Sequence, residues 1–199
     1  KTIMDKLSYS LGLNVGYSYL ASGINKLNVE DFAEGVRCVL EAKEPAISID
    51  EAKQIINEFL SQLQAEAEKA AEANLKAGED FLAENAKREG VITLPSGLQY
   101  EVLATGEGRQ PKATDKVQCH YHGTLIDGMV FDSSVQRGTP AVFGVNQVIP
   151  GWVEALQLMN EGSRWKLYIP SKLGYGAQGA GPIPPHATLI FEVELIKVI

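Results

Sequence analysis

The feature that most constrains this chain is a change in the distribution of proline and glycine near residue 90. No proline interrupts the sequence between Ser48 and Arg88, whereas residues 91–199 hold eight of the nine prolines and thirteen of the nineteen glycines. Both residue types disfavour helix interiors and favour turns. The first part is therefore expected to be helical, and the second to consist of short strands joined by turns.

Three helices are expected in the first part. Apolar residues at helical spacing predict two short helices near residues 4–20 and 29–42, the second capped by Asn28. A third begins at a capping box, Ser48-Ile49-Asp50-Glu51, and continues to about Arg88. About 40 residues at ~1.5 Å each would make a rod of ~60 Å. Since its ends are apolar and its middle is mostly Ala, Glu and Lys, it suits a spacer between two packed bodies; a helix folded back along its own domain would need an apolar stripe throughout.

The short helices make a poor core by themselves, and small units of this kind are often stabilised by oligomerisation. Ser8, Gly12 and Gly16 form a row of small residues four apart, which would let another helix backbone approach closely. The approaching helix could belong to the same chain or to a second copy. We expect residues 1–63 to form a dimer.

The composition excludes several classes of protein. The 199 residues are 45% hydrophobic and 22% charged, which argues against disorder. The net charge of −7 argues against general affinity for nucleic acid or anionic lipid. No apolar stretch approaches the ~20 residues of a membrane span. Cys38 and Cys119 lie too far apart to suggest a disulfide framework or a zinc site. The first residues lack a secretory apolar region, which slightly favours the cytoplasm over the periplasm.

The second part shows strand alternation. Val117, Cys119 and Tyr121 would lie on one face of a strand, and two later runs, 164–169 and 189–196, alternate in the same way. One short helix fits residues 151–159. The pattern predicts an α+β domain in which an antiparallel sheet of about five strands curls over one helix.

Three familiar kinds of site are not supported. The run from Gly174 to Gly179 matches G-x-G-x-x-G but leads into a proline-rich loop, whereas a dinucleotide fingerprint must open a helix. His120 and His122 share a strand face without an evident third metal ligand, so exposed histidines are the preferred interpretation. Ser133 and Ser134 follow Asp132 without the pattern of a nucleophile elbow.

An aromatic set is the remaining candidate for a site. Most aromatic residues at strand spacing simply pack in a core. However, one tryptophan follows Pro-Gly at a predicted helix start, one tyrosine lies in a glycine-rich loop, and an aspartate directly follows one phenylalanine. Together these residues predict a shallow aromatic cup with few polar groups. Its members are Tyr121, Phe131, Asp132, Phe143, Trp152, Tyr175 and Phe191.

Five separated stretches of the second part resemble the motifs of one known family. They are Val117–Gly123, Asp127–Ser134, Gln147–Trp152, Tyr175–Ala177 and Ile183–Leu189. In this order they resemble an FKBP-type peptidyl-prolyl isomerase domain, over about residues 92–199. The helical part resembles, more weakly, the dimerisation arm of bacterial macrophage-infectivity-potentiator-like members, through Gly12–Gly16. The resemblance implies a helical dimerisation domain over 1–47, a connecting helix over 48–90 and an isomerase domain over 91–199.

The resemblance also implies roles for the residues of the cup. Trp152 would lie under the proline ring, and Tyr121, Phe131 and Phe191 would wall it. The Tyr175 hydroxyl and the Ile149 backbone N–H would donate hydrogen bonds to substrate carbonyls, and Asp132 would position local groups or polarise the amide. Phe143, Val148 and Ile183 complete the implied pocket. Two departures, Ala141 in place of a wall aromatic and a loop one residue shorter over Gln178–Pro182, put macrolide affinity in doubt.

The expected function is therefore that of a peptidyl-prolyl isomerase (rotamase) that uses no cofactor or metal. Its partners would be proline-containing unfolded polypeptides, with macrolides as possible inhibitors, and no nucleic acid. The alternative function is that of a dimeric holdase chaperone in which isomerisation is secondary. An inactive scaffold is disfavoured, because Tyr121, Asp132, Trp152 and Tyr175 are all present.

Overall fold

The structure, a computed structural model, describes residues 4–199. It divides into two compact units, which we call the helical unit (residues 4–67) and the sheet unit (Glu68–Ile199). The division falls inside a helix, because the C-terminal turns of that helix pack on the sheet. The domain limits expected from the sequence, after residues 47 and 90, follow the expected helix ends and stay a prediction.

The helical unit contains α1 (Lys6–Ala21), α2 (Val29–Leu40) and the first half of α3 (Ile49–Asn85). Asp5 caps α1, and the side chain of Asn28 caps α2 by accepting from the backbone N–H groups of Glu30 and Asp31, as its sequence predicted. The Ser48 hydroxyl accepts from the Glu51 N–H at 3.1 Å and starts α3. Each helix thus begins at a residue whose side chain satisfies N–H groups that have no partner within the helix.

No residue between Met4 and Ala67 is buried. Tyr19 of α1 meets Phe32 of α2 edge to face, with ring centroids 5.8 Å apart, and both remain half-buried. Large apolar side chains such as Tyr17, Val39 and Leu60 are exposed. This unit therefore does not bury its own apolar surface.

The sheet unit is built on one antiparallel sheet in the order β1-β2-β6-β7-β3-β4, with β5 paired to β3. The strands are β1 (Ile92–Thr93), β2 (Gln99–Ala104), β3 (Lys116–Leu125), β4 (Val130–Ser133), β5 (Ala141–Gly144), β6 (Arg164–Ile169) and β7 (Leu189–Val198). Two short helices, α4 (Ser134–Arg137) and α5 (Pro150–Leu158), complete the unit. The α+β class is confirmed, although the sheet has seven strands instead of about five, because β1, β4 and β5 are too short to show alternation.

The core lies between the sheet and α5. Trp152, Ala155 and Leu156 of α5 are buried against alternate residues of the central strands. The expected alternation is observed: Val117, Cys119 and Tyr121 of β3 are buried, while the intervening residues are half-buried. The pattern therefore places Tyr121 on the inner face of the sheet, toward α5.

The C-terminal half of α3 packs on the sheet unit. Residues 71, 74, 78, 81, 82 and 85 are buried or half-buried at helical spacing. Asn85 Nδ2 donates to Gln99 Oε1 at 2.9 Å, and Gln99 Nε2 donates to the carbonyl of Leu82 at 2.8 Å. Both amide side chains are nearly fully buried, so these bonds satisfy groups that water does not reach.

Candidate active site

Trp152 forms the floor of a cavity at the inner face of the sheet. It lies in the first turn of α5, where Pro150 fixes the backbone at the helix start. Gly151 lets this turn approach the sheet, since a Cβ there would lie 2.8 Å from Ile169 Cγ2. The Trp152 side chain is only 4% exposed. The local sequence Pro-Gly-Trp thus sets an indole ring against the sheet at the end of a helix.

Three aromatic rings meet the indole edge to face. The rings of Tyr121, Phe143 and Phe191 lie at 82°, 81° and 83° to the indole plane, with centroids 5.5, 5.6 and 5.2 Å away. Perpendicular rings around a flat one make the walls of a cup. These three residues come from β3, β5 and β7, so the curl of the sheet brings the walls together.

Phe131 of β4 adds a fourth wall, 5.3 Å from Phe191 at an angle of 86°. Gly123 of β3 lies behind these two rings. A Cβ at this position would be 2.7 Å from Phe131 Cζ and 2.7 Å from Phe191 Cε1. Only glycine lets the two rings stand this close to the strand, so the Tyr-His-Gly sequence of β3 serves the cavity.

The cavity has a volume of about 640 Å³, which suits a ligand the size of a short peptide segment. All ten residues implied by the resemblance line it: Tyr121, Phe131, Asp132, Phe143, Val148, Ile149, Trp152, Tyr175, Ile183 and Phe191. Four further lining residues were not among the candidates: Gln147, Ala180, Gly181 and Pro182. The last three lie in the proline-rich loop, where neither periodicity nor residue chemistry marks a position.

A polar group of three side chains stands at the wall. The Tyr121 hydroxyl donates to Asp132 Oδ2 at 2.7 Å and accepts from Arg137 Nη2 at 2.8 Å. Arg137 Nη1 also donates to Asp132 Oδ1. The Arg137 guanidinium carbon lies 5.7 Å from the centroid of the Tyr121 ring. Arg137 was missed by the sequence analysis; its signal is a basic residue at the end of the four-residue helix α4, five positions after Asp132.

This group keeps Asp132 ionised. Burial raises the pKa of Asp132, but the hydrogen bonds from Tyr121 and Arg137 and the charge of Arg137 outweigh burial and leave the pKa below its ordinary value. The pKa of Tyr121 is raised, first by burial and then by its hydrogen bond to Asp132. At neutral pH the wall therefore holds a carboxylate and a neutral phenol, so Asp132 has no proton to donate.

The rest of the cup is mostly apolar. Trp152 Nε1 is buried and meets no hydrogen-bond acceptor among the described residues. Tyr175 is 39% exposed, with its ring at the cavity rim, where a ligand can reach it. The cup can surround an apolar ring and offers polar groups only at its edge.

The two strand histidines point away from the cup, as the alternation predicted, but they are half-buried instead of exposed. His120 Nδ1 lies 2.9 Å from Ser134 Oγ, and His122 Nδ1 lies 2.9 Å from Ser133 Oγ. Across residues 4–199 no cluster of three or more His, Cys, Asp or Glu side chains is placed to bind a metal ion. The run Gly174–Gly179 forms only a three-residue 3₁₀ turn, without a helix to receive a phosphate.

A second group of the same three chemical types lies away from the cavity. The Tyr168 hydroxyl donates to Glu101, and Arg88 donates to Tyr168 at 3.1 Å and to Glu101 at 3.0 Å. Arg88 follows α3, so this group fastens the end of the helix to β2 and β6. It contains no residue that lines the cup.

Comparison with known proteins gives two matching family models. The model of FKBP-type peptidyl-prolyl cis-trans isomerases matches residues 107–196, and the model of the domain amino-terminal to such isomerases matches residues 4–102. Together the two matches include most of both units.

Individual relatives match along the whole chain. The "FKBP-type 22 kDa peptidyl-prolyl cis-trans isomerase" of Escherichia coli is 48% identical over all of this chain and 97% of its own length. The "Outer membrane protein MIP" of Legionella longbeachae is 43% identical over 99% of this chain and 86% of its own. Among solved structures, FkpA from Escherichia coli aligns with a TM-score of 0.73 and 38% identity over 96% of this chain and 92% of its own.

Proposed function

We propose that this chain, which belongs to the family of FKBP-type peptidyl-prolyl cis-trans isomerases, rotates Xaa–Pro bonds in the aromatic cup above Trp152. The observation that carries the location is the set of three rings standing perpendicular to the buried indole. The cup suits the compact, apolar ring of proline. The enzyme is a rotamase, and its substrates are proline-containing polypeptides.

The reaction requires the protein to make or break no covalent bond. Rotation about the bond crosses a barrier of ~18–20 kcal/mol, because amide resonance is lost. Proline lowers the preference for trans to about 0.5–1 kcal/mol, so both isomers are populated. A twisted amide has less charge separation than a planar one. A dry aromatic surface therefore solvates the planar ground state poorly relative to the twisted state, and hydrogen bonds that fit only the twisted geometry add further stabilisation.

The polar residues at the edge of the cup would supply that second effect. Tyr175 is exposed enough for its hydroxyl to donate to a substrate carbonyl, and the backbone N–H of Ile149 would donate from the start of α5. Asp132, held charged by Tyr121 and Arg137, would act on the amide as a fixed negative charge. Val148 and Ile183 would complete the apolar lining.

Substitutions at the edge test these roles. Asp132→Ala and Tyr175→Phe are each expected to lower kcat/KM for a proline tetrapeptide in a protease-coupled assay, with an unchanged circular dichroism spectrum. Asp80→Ala is the control, because Asp80 is exposed on α3, pairs with Lys76 and does not line the cup. Unchanged turnover in well-folded Asp132 and Tyr175 variants would remove both residues from the mechanism. A panel of peptides that vary the residue before proline would also test the effect of the shorter loop.

We also propose that the helical unit forms a homodimer. Its apolar side chains are exposed in the single chain, and a groove on α1 is lined by Leu13, Tyr17, Leu20 and the two small residues Gly12 and Gly16. A Cβ at either glycine would meet nothing within 4 Å, so the space there is open to a second copy. Burying this surface in a dimer would give the unit the core it lacks.

Light scattering is the direct test of the dimer. We expect a mass of twice 21.6 kDa, and a mass near 21.6 kDa in dilute solution would contradict the proposal. Gly12→Leu adds bulk where the single chain has room, so it is expected to yield monomers. Ser10→Leu is the matched control on another face of α1.

The holdase alternative is not favoured, because the matching family model and the 22 kDa relative are isomerases by name. Among the helices of residues 4–199, none has both the length and the apolar character needed to cross a membrane. Macrolide binding and a cytoplasmic location stay predictions, which a binding titration and cell fractionation would test.

A further inference from the structure

We propose that the C-terminal half of α3 sets the substrate affinity of the cup by holding the loop that forms one side of it. This loop, Gly174–Thr188, is called the rim loop below. Its first part lines the cup with Tyr175 and residues 180–183, and its last part contacts α3. The inference rests on the proposed function, since it assumes that the cup is the substrate site.

The first contact is a hydrogen bond. Asn74 Nδ2 of α3 donates to the carbonyl oxygen of Pro185 at 3.1 Å. Asn74 is half-buried, so water competes less for this bond than at an exposed position. Pro185 lies only two residues after Ile183, which is buried at the wall of the cup. The bond therefore connects the helix to the loop close to a cavity-lining residue.

The second contact is a close approach of Gly78 to the side chain of Thr188, one helical turn further on. Gly78 is buried, and a Cβ there would lie 2.3 Å from Thr188 Oγ1. Thr188 is 5% exposed and precedes the first residue of β7. Glycine at this position lets α3 sit directly on the end of the rim loop. Asn74 and Gly78 thus hold both ends of the segment 185–188.

That segment contains a strained turn. His186 has φ 56°, in the left-handed region that non-glycine residues rarely adopt. Such conformations persist where the surrounding structure enforces them. Contacts on either side of His186, at Pro185 and Thr188, are placed to do so. The His186 N–H also donates to the carbonyl of Gly176 at 2.9 Å, which ties the turn to the beginning of the loop.

The rim loop has two limbs, one on either side of its tip at residues 180–183, and a displacement of one limb moves the other. Ala180 and Ile183 exchange backbone hydrogen bonds of 3.0 and 2.9 Å across the tip. At Gly179 a Cβ would lie 2.3 Å from the carbonyl oxygen of Ile183, so the limbs are in close contact. These internal bonds preserve the shape of the loop, whereas the contacts with α3 fix its position. Releasing Pro185 would let the wall formed by residues 180–183 shift as one piece.

The expected effect is on binding, with little effect on the chemical step. Asp132, Trp152 and the walls of β3, β4, β5 and β7 do not depend on Asn74. The Asn74 bond is made to Pro185, beside the wall formed by residues 180–183, and not to Tyr175. That wall is apolar, and a substrate contacts it equally in its ground and transition states. Loss of such uniform contact raises KM and leaves kcat unchanged.

The test is Asn74→Asp in the full chain, which keeps the size of the side chain and removes the N–H donor. We expect KM for a proline tetrapeptide to rise ~5-fold, as for one net hydrogen bond, with kcat within about twofold of wild type. Hydrogen–deuterium exchange at the amides of Ala180, Ile183 and His186 is expected to accelerate. Asn74→Ala, which adds no charge near the carbonyl, is expected to act in the same direction and serves if the first variant does not fold.

Asn85→Asp is the matched control, because Asn85 is also an amide of α3 that donates to the sheet unit but contacts Gln99 instead of the rim loop. It is expected to leave KM and the exchange of the three loop amides at wild-type values. An unchanged KM in both Asn74 variants, or an equal rise in Asn85→Asp, would overturn the inference. Absence of isomerase activity in the wild-type chain would instead contradict the proposed function, and the exchange measurement would still report on the contact.

Discussion

The two tyrosine–carboxylate–arginine groups give a paired experiment on what the cup contributes. Tyr121→Phe removes a hydroxyl that bonds Asp132 at 2.7 Å and Arg137 at 2.8 Å beside the cavity. Tyr168→Phe removes a hydroxyl with the same kinds of partner away from it. The chemical change is the same in both variants, and only the location differs.

The expected loss of stability follows from the exposure of the partner carboxylates. The side chain of Asp132 is 43% exposed and keeps its ion pair with Arg137, so water can replace the lost bond, and we expect a cost of about 1 kcal/mol. The side chain of Glu101 is only 16% exposed, so water replaces the Tyr168 hydroxyl poorly, and we expect about 2–3 kcal/mol. Tyr168→Phe should therefore be the less stable variant.

The expected effect on activity has the opposite order. Tyr121→Phe is expected to lower kcat/KM about tenfold, equivalent to ~1.4 kcal/mol of transition-state stabilisation, because Asp132 loses a group that orients it. Tyr168→Phe is expected to stay within about twofold of wild type. Urea unfolding followed by tryptophan fluorescence and the protease-coupled assay measure the two quantities. If activity followed stability in both variants, or Tyr121→Phe kept full turnover, the role assigned to the Asp132 group would be refuted.

Three further predictions concern single positions. Because the pKa of Asp132 is lower in the folded chain, the unfolded chain binds a proton at this carboxylate more readily. The difference in unfolding free energy between wild type and Asp132→Asn, measured by urea titration, should therefore be constant above about pH 5 and shrink below about pH 4. Gly78→Ala should destabilise the sheet unit by roughly 1–3 kcal/mol through its clash with Thr188, whereas Gly35→Ala, in open space on α2, should not destabilise; equal melting temperatures would contradict the close approach. Gly123→Ala should lower kcat/KM more than tenfold, because its Cβ would lie 2.7 Å from two wall rings, and wild-type kinetics would show that the rings can part freely.

The sequence predicted most of the cup because its residues lie in contiguous motifs. Trp152 follows Pro-Gly, and Asp132 follows a wall phenylalanine, so one stretch reveals several lining residues at once. Arg137 was not predicted, because a single helical turn brings it back to Asp132 and a helix of four residues shows no periodicity in the sequence. The number of strands was not predicted, because the short strands are defined by their pairing with β3, which exists only in the folded sheet.

The apolar end of α3 was expected to pack on a folded body, but the contacts of Asn74 and Gly78 with the sheet unit were not predicted. Asn74 lies in a stretch of mostly Ala, Glu and Lys, which fits an exposed spacer, and its partner Pro185 is 111 residues away. Gly78 is the residue from which these contacts could have been predicted. A glycine in a long run of helix-favouring residues costs helix stability, and close approach of another backbone is one reason to keep it.

The recurrence of the same three side-chain types at two places has a consequence for recognising enzymes by shape. A search template made only of a tyrosine, a carboxylate and an arginine would find this molecule twice, once at the Tyr121 group and once at the Tyr168 group. The match at the Tyr168 group is a false positive, because that group only fixes the end of α3 to the sheet. A template that also required a flat indole beneath the tyrosine would reject it.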